Sequence, residues 1–440
     1  MLTIEQAAQA LAAGTTTARA LLEESFAAVA RQPAAFMVLH HEAARATADA
    51  QDMLRRAGRA PSRYAGIPVA VKDLFDEAGQ VTRAGSRALQ GNAPAAQDAP
   101  VVARLQAAGM VVMGRTNMVE FAFSGLGVNP HYGTPTTPYD RATGRLPGGS
   151  SSGAAVAAAD GMGFGGLGSD TGGSCRIPAA LCGVVGYKPT ASRVPLQGAF
   201  PLSSSLDSIG PIARSVACCQ IIDGIIADHP ATHAALPLAG LSLAVLRNYM
   251  EEGMDDAVAN AYAETLSRLS ALGARLTDIR IPDIEALPAV NGTGGFAASE
   301  AWAWHHDIID RAAQDYDPRI LKRIRRGEAM TAENYLALLA ARKSLIAAVA
   351  PQTAPFDAVL APTCPLTPPA IAEVEDEREY NRINMALLRN TAVFNFLDRC
   401  SISIPCHRPG TAPVGLMITG ENGGDGKLFA VARAVEAALA

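Results

Sequence analysis

RLPGGSSSGAAVAAADGMGFGGLGSDTGGSCRIPAALCGVVG, residues 145–186, is the stretch on which the reading of this chain turns. Gly, Ser and Ala dominate it, yet Val156, Leu167, Ile177, Val184 and Val185 are core-type residues, and Ala154–Ala159 favours a helix. A flexible Gly/Ser linker carries no such residues. Glycine at this density inside a buried stretch implies close backbone approach or positive φ, the geometry that anion-cradling loops need.

Two short patterns inside it resemble known sites. Gly161–Gly166 matches G-x-G-x-x-G, but a dinucleotide fingerprint follows a strand, opens a helix and precedes an acidic residue ~20 positions on. Here another Gly-rich loop follows, with Lys188-Pro189 at that distance, and no G-K-[ST] completes a Walker A loop. Gly149–Gly153 matches G-x-S-x-G, which would make Ser151 the nucleophile of a Ser-His-Asp esterase. His229, His233, His305, His306 and His407 lie downstream, none in a suggestive setting; His305 and His306, beside Trp302 and Trp304, read as ordinary helix surface.

Outward from this segment the chain alternates helices and strands. Before it, residues 1–60 read as helices: Thr3 and Gln6 form a capping box, a second helix runs from about Thr17 to Arg31, and a third spans His41 to Arg56. Gly66–Lys72 then alternates Ile67, Val69 and Val71, a strand signal, and Val101–Ala108 with Met110–Met113 repeats the helix–strand order. Beyond it, helices are expected over Asp255–Leu272, Glu300–Ala312, Ala332–Val349, Tyr380–Phe396 and Gly426–Leu439. Strands are expected at Ala358–Ala361, Ser401–Ile404 and Gly415–Thr419. The expected fold class is α/β: one large α/β/α unit over 1–440 with a mostly parallel or mixed twisted sheet flanked by helices. Its core lies at about 65–215 and a helical, pocket-forming region at about 255–350.

Composition narrows the function. Lys and Arg number 37 against 42 Asp and Glu, a net charge of −5, which gives no footprint for nucleic acid or a membrane surface. Charged residues are 18% and apolar ones 49%, so a large core is available. Seven Cys without C-x-x-C spacing and no H-E-x-x-H argue against a disulfide framework or a metal site. The N-terminus lacks a basic stretch followed by an apolar one, and no run of 18 apolar residues occurs. The expected compartment is cytoplasmic.

A third pattern is spread over separate blocks. Gly66-Ile-Pro-Val-Ala-Val-Lys72-Asp73, Pro147-Gly-Gly-Ser150-Ser-Ser-Gly153 and Gly168-Ser-Asp170-Thr-Gly-Gly-Ser174-Cys-Arg176-Ile-Pro178 resemble the amidase signature family, with Ser174 24 residues after Ser150. Arg115–Ser124, Gly183–Thr190 and Leu206–Gly210 extend the resemblance. A departure is Asp398-Arg399-Cys400, where the family usually has Gly-Pro before the S-x-P strand.

The resemblance implies a Ser-cisSer-Lys triad: Ser174 as nucleophile, Ser150 as bridging serine after a cis peptide from Gly149, and Lys72 as base. It implies an oxyanion hole from the N–H groups of Thr171, Gly172, Gly173 and Ser174, with Ser151, Asp170 and Arg176 as structural support. Ala122, Ser124, Leu126 and Phe200 would line the substrate slot. The chemistry is coherent, because a serine hydroxyl needs a base and a lysine serves only when neutral, which burial at the end of an apolar strand favours. The implied activity is hydrolysis of C–N bonds in small amides, aryl-acylamides or carbamates, with esterase side activity, without metal or organic cofactor, by a monomer or homodimer. The alternative is the glutamine amidotransferase subunit of a tRNA-dependent transamidosome, for which the basic run Arg319, Lys322, Arg323, Arg325 and Arg326 could dock a partner. That run otherwise reads as a solvated helix face.

Overall fold

The computed structural model describes residues 1–440. Its centre is one mixed sheet of 11 strands. They are β1 (Phe36–Leu39), β2 (Pro68–Lys72), β3 (Val111–Thr116), β4 (Gly165–Ser169), β5 (Val185–Lys188), β6 (Ile209–Ala213), β7 (Ser242–Leu246), β8 (Arg275–Ile279), β9 (Ala358–Pro362), β10 (Ser401–Pro405) and β11 (Gly415–Thr419). Their spatial order is β1-β3-β2-β4-β6-β5-β10-β11-β9-β7-β8. β2 runs parallel to β3 and β4, and β7 runs parallel to β8 and β9. From β4 across to β9 every pairing is antiparallel. The fold is the expected α/β sheet flanked by helices, in its mixed form. No helix is long and apolar enough to cross a membrane.

Every residue of β2 is buried, with the helices Ala18–Val29 and Ser152–Asp160 packed against the strand. The apolar alternation at Ile67, Val69 and Val71 therefore belongs to a strand covered on both faces. The Gly- and Ala-rich segment has a packing cause. A Cβ at Gly166 in β4 would stand 2.9 Å from the Cβ of Ala154, so small residues let that helix lie directly on the strand. Gly161 closes the helix with a left-handed φ of 78° and Gly165 opens β4. The 161–166 pattern thus runs helix to strand, the reverse of a dinucleotide site.

The capping box forms as expected, with Thr3 and Gln6 opening the helix Ile4–Ala12. The helix Asp256–Ala271 and strand Gly415–Thr419 fall where periodicity put them. The first sixty residues, however, are not all helical: Phe36–Leu39 forms β1, antiparallel to β3 at the sheet's edge. Four residues between Pro33 and the helix His41–Arg56 are too few to show a period. His305 is a second correction. It lies on the inner face of the helix Gly295–Ala312, fully buried, its ring edge-on to Phe121 at 4.3 Å, while Trp304 remains 53% exposed.

Candidate active site

β2 ends at Lys72 and β4, its parallel neighbour, ends at Ser169, so both deliver side chains to the same end of the sheet. Lys72 is fully buried, and its Nζ lies 2.8 Å from Ser150 Oγ and 2.9 Å from Ser169 Oγ. No carboxylate pairs with it. Asp73, the sequence neighbour that could have done so, is taken by Arg115 at 2.7 Å. Burial pushes the Lys72 ammonium down to about 8, against the pull of Asp170 and Asp207. Cys175 beside it is held neutral, its thiol pushed up by burial. A neutral amine has two N–H groups and one lone pair. With one N–H donated to Ser169, the lone pair is free to face the Ser150 hydroxyl.

The Gly149–Ser150 peptide is cis. The loop after β3 grips both sides of it: Gly149 N–H donates to Gly125 O at 2.8 Å, and Val119 N–H donates to Ser150 O at 3.0 Å. Ser151 is fully buried, its hydroxyl donating to Ser169 O at 3.3 Å, with no histidine partner. That removes the geometry an esterase elbow on Ser151 requires. Ser174 is nearly buried at 3% exposure, and its carbonyl accepts from Ser151 N–H at 3.3 Å. Its hydroxyl forms no hydrogen bond to the rest of the chain, so the structure makes the Lys72–Ser150 contact and leaves the Ser150–Ser174 contact open. Catalytic hydrogen bonds of this kind are often long before substrate arrives.

The loop 170–174 is built around a buried ion pair. Asp170 receives Arg176 at 2.9 and 3.1 Å, Asn395 Nδ2 at 2.8 Å and the N–H groups of Gly173 and Cys175 at 2.8 and 3.1 Å. Burial alone would raise the Asp170 carboxyl, but Arg176, Asn395 and Lys188 hold it well below the usual range. One expectation is corrected here. The Gly173 N–H is spent on Asp170 at 2.8 Å, so it is not free to serve the oxyanion hole that the resemblance implies. The N–H groups of Thr171, Gly172 and Ser174 have no partner in the chain and remain available. Gly173 serves the loop differently. At φ 129° its missing Cβ would stand 2.1 Å from Thr391 Oγ1, which holds the Gly172 carbonyl at 2.6 Å.

The expected slot residues divide. Phe121 and Ala122 adopt left-handed φ values of 50° and 59°, and Phe121 stacks among Phe200, His305 and Tyr316. Burial pushes the His305 imidazole down to about 4; its Nδ1 meets Tyr316 OH at 2.9 Å and its Nε2 has no partner. Ser124 is committed within the protein, donating to Asn384 Oδ1 at 2.8 Å and accepting from Tyr380 OH at 3.0 Å. Leu126 is fully buried in an apolar cluster with Leu146, Ile177, Leu181 and Leu387.

The helix Glu377–Phe396 falls where the sequence placed one, at Tyr380–Phe396, but sequence reasoning missed its part in the site, where Asn384, Thr391 and Asn395 serve the loops just described, and it missed Ser169. Those three are spaced seven and four apart, one helix face. A polar stripe running along the face that also carries Tyr380, Leu387 and Phe394 was the available signal.

A sequence model of the family described as Amidase matches residues 19–429. The chain belongs to the amidase signature family, whose members are hydrolases acting on C–N bonds. It is 35% identical to 2-amino-5-chloromuconic acid deaminase of Comamonas testosteroni over 90% of this chain and 86% of that one. It is 39% identical to a glutamyl-tRNA(Gln) amidotransferase subunit from Chloroflexus aggregans (strain MD-66 / DSM 9485) over 76% and 75%. Among solved structures, an amidase superposes with a TM-score of 0.92 at 32% identity, with 100% of both chains covered.

Proposed function

We propose that the chain hydrolyses small, uncharged and fairly apolar amides, aryl-acylamides or carbamates through an acyl-enzyme on Ser174. The observation that carries this reading is a buried, unpaired Lys72 in hydrogen-bond contact with Ser150. Lys72 Nζ takes the Ser150 proton as Ser150 Oγ takes that of Ser174. The Ser174 oxygen bonds the carbonyl carbon, and the oxyanion faces Thr171, Gly172 and Ser174 N–H. As the C–N bond breaks, Ser150 gives a proton to the departing nitrogen and recovers one from Lys72. Water then adds to the ester by the same route, releasing the acid and free Ser174. Arg176, the guanidinium beside the loop, donates twice to Asp170 and once each to Thr391 O, Asn395 Oδ1 and Met417 Sδ, which uses all five of its N–H groups, leaves none for a substrate carboxylate and favours an uncharged acyl group.

The reading extends to a cytoplasmic protein built as one unit over 1–440, acting as monomer or homodimer. The rival is a component of an amidotransferase, as the relatives' names suggest. Its sequence support, the 319–326 run, is partly engaged within the chain: Arg319 holds Asp317, Arg323 donates to Phe123 O at 2.8 Å and Lys322 pairs with Glu377. A panel of amides, carbamates, esters and glutamine assayed with the purified chain separates the two. Turnover of neutral amides by the chain alone, unchanged by chelation, is the expected result. Glutamine hydrolysis that appears only with an added partner protein would overturn it.

A further inference from the structure

β4 and β6 pair antiparallel as far as Ser169 opposite Ile209. The ladder continues one step past both strands, where Asp170 N–H donates to Ser208 O at 2.8 Å and Ser208 N–H donates to Asp170 O at 3.1 Å. The next pair outward is Thr171 and Asp207, and side chains join it. The Thr171 hydroxyl donates to Asp207 Oδ1. Asp207 Oδ2 accepts the N–H groups of Leu202 and Ser203 at 3.0 and 3.1 Å. The Ser203 hydroxyl in turn donates to Glu300 at 2.6 Å, and Tyr335 OH donates to the other Glu300 oxygen at 2.6 Å. The segment bearing Asp207 is thereby anchored to two helices, Gly295–Ala312 and Ala332–Thr353.

Thr171 is the first of the three residues with an unpartnered N–H, and two glycines follow it. A loop of that composition scatters its donors unless something fixes its start. We propose that Asp207 is a positioning residue for C–N hydrolysis, holding the Thr171 hydroxyl so that the Thr171 N–H is aimed at the developing oxyanion. This rests on the reading of Ser174 as the acylated residue. Donors fixed in advance stabilise the transition state because nothing reorganises as charge develops. A carboxylate suits that role, since it only accepts and here meets three donors. An amide at this position would turn N–H groups toward one of them. Burial raises the Asp207 carboxyl to about 6, below the value of about 8 for Lys72, so the acceptor is ionised wherever the base is free.

The test compares wild type, Asp207→Asn, Thr171→Val, the double variant and Thr171→Ser on one neutral amide, with Ser174→Ala alongside. The expected result is a loss in kcat of about 10²-fold for each of Asp207→Asn and Thr171→Val, with KM within about threefold. The double variant should lose no more than either single one, and Thr171→Ser should recover most of what Thr171→Val loses. Wild-type kcat in Asp207→Asn, or losses that multiply in the double variant, would overturn the proposal. If Asp207→Asn does not fold, the near-isosteric Thr171→Val decides by itself, and wild-type kcat there overturns it as well. A fully active Ser174→Ala would instead remove the underlying reading, an outcome distinct from a failure of Asp207.

Discussion

Lys72 is the proposed base, and its position alone suits it to that role. It is the last residue of a strand buried on both faces, its carboxylate neighbour is diverted to Arg115, and two serine hydroxyls are its hydrogen-bond partners. Burial lowers its folded value to about 8, so the fraction of neutral amine rises as pH rises through that value. With Lys72 as base, kcat/KM for an amide climbs with pH through an apparent value near 8 and then levels. Lys72→Ala should lower amide turnover by about 10²–10⁴-fold, and Lys72→Arg, which stays charged, should not rescue it. An activated aryl ester should suffer less, because its leaving group needs no proton from Ser150. Amide hydrolysis by Lys72→Ala at near the wild-type rate would reduce Lys72 to a structural residue.

At the scale of elements, the helix Ser152–Asp160 and β4 depend on each other's small residues. Gly166→Val would drive a side chain into Ala154, so the variant should lose about 1–3 kcal/mol in denaturant unfolding. Unchanged stability would mean that the helix can move off the strand. The loop after β3 is held as firmly, by Arg323 on Phe123 O and by the Tyr380 ring, with Arg319 and Arg323 at 4.5 and 5.2 Å from its centroid. The same elements show what was legible in the sequence. Long segments with a clear period, such as Asp256–Ala271, could be placed from the pattern alone. β1 and β4 to β8 were not placed from the sequence: β1 is a four-residue strand set between helical segments, β4 is Gly-rich, and β8 carries Arg275, Thr277 and Asp278 in five residues. The candidate positions Lys72, Ser150 and Ser174 were legible through three spaced blocks that resemble the family. The loss of Gly173 as an oxyanion donor was not, because it depends on where the Asp170 carboxylate turns. His305 was misread because local composition does not say which helix face meets Phe121.

Over the whole molecule, the sheet order brings distant segments to one place. Residues 72, 150 and 169 meet because β2 and β4 are neighbours, and the helix Glu377–Phe396 holds the loops at 124–125 and 170–172 through Asn384, Thr391 and Asn395. The helix Ile4–Ala12 and the closing helix Asp425–Leu439 share the largest apolar core with the strands between them. In the basic run at 319–326, which from sequence read as a solvated face or a docking patch, Arg323 holds Phe123 O in the loop beside the site and Arg319 pairs with Asp317, while Lys322, Arg325 and Arg326 are exposed. The proposed chemistry stands or falls on Ser174 as the residue that carries the acyl group. Peptide mapping of the native enzyme after reaction with a fluorophosphonate, with Ser174→Ala and Ser151→Ala treated in parallel, tests it without an assumption about substrate. A single adduct on Ser174 is expected, retained in Ser151→Ala and absent from Ser174→Ala; an adduct on Ser151 would contradict the mechanism.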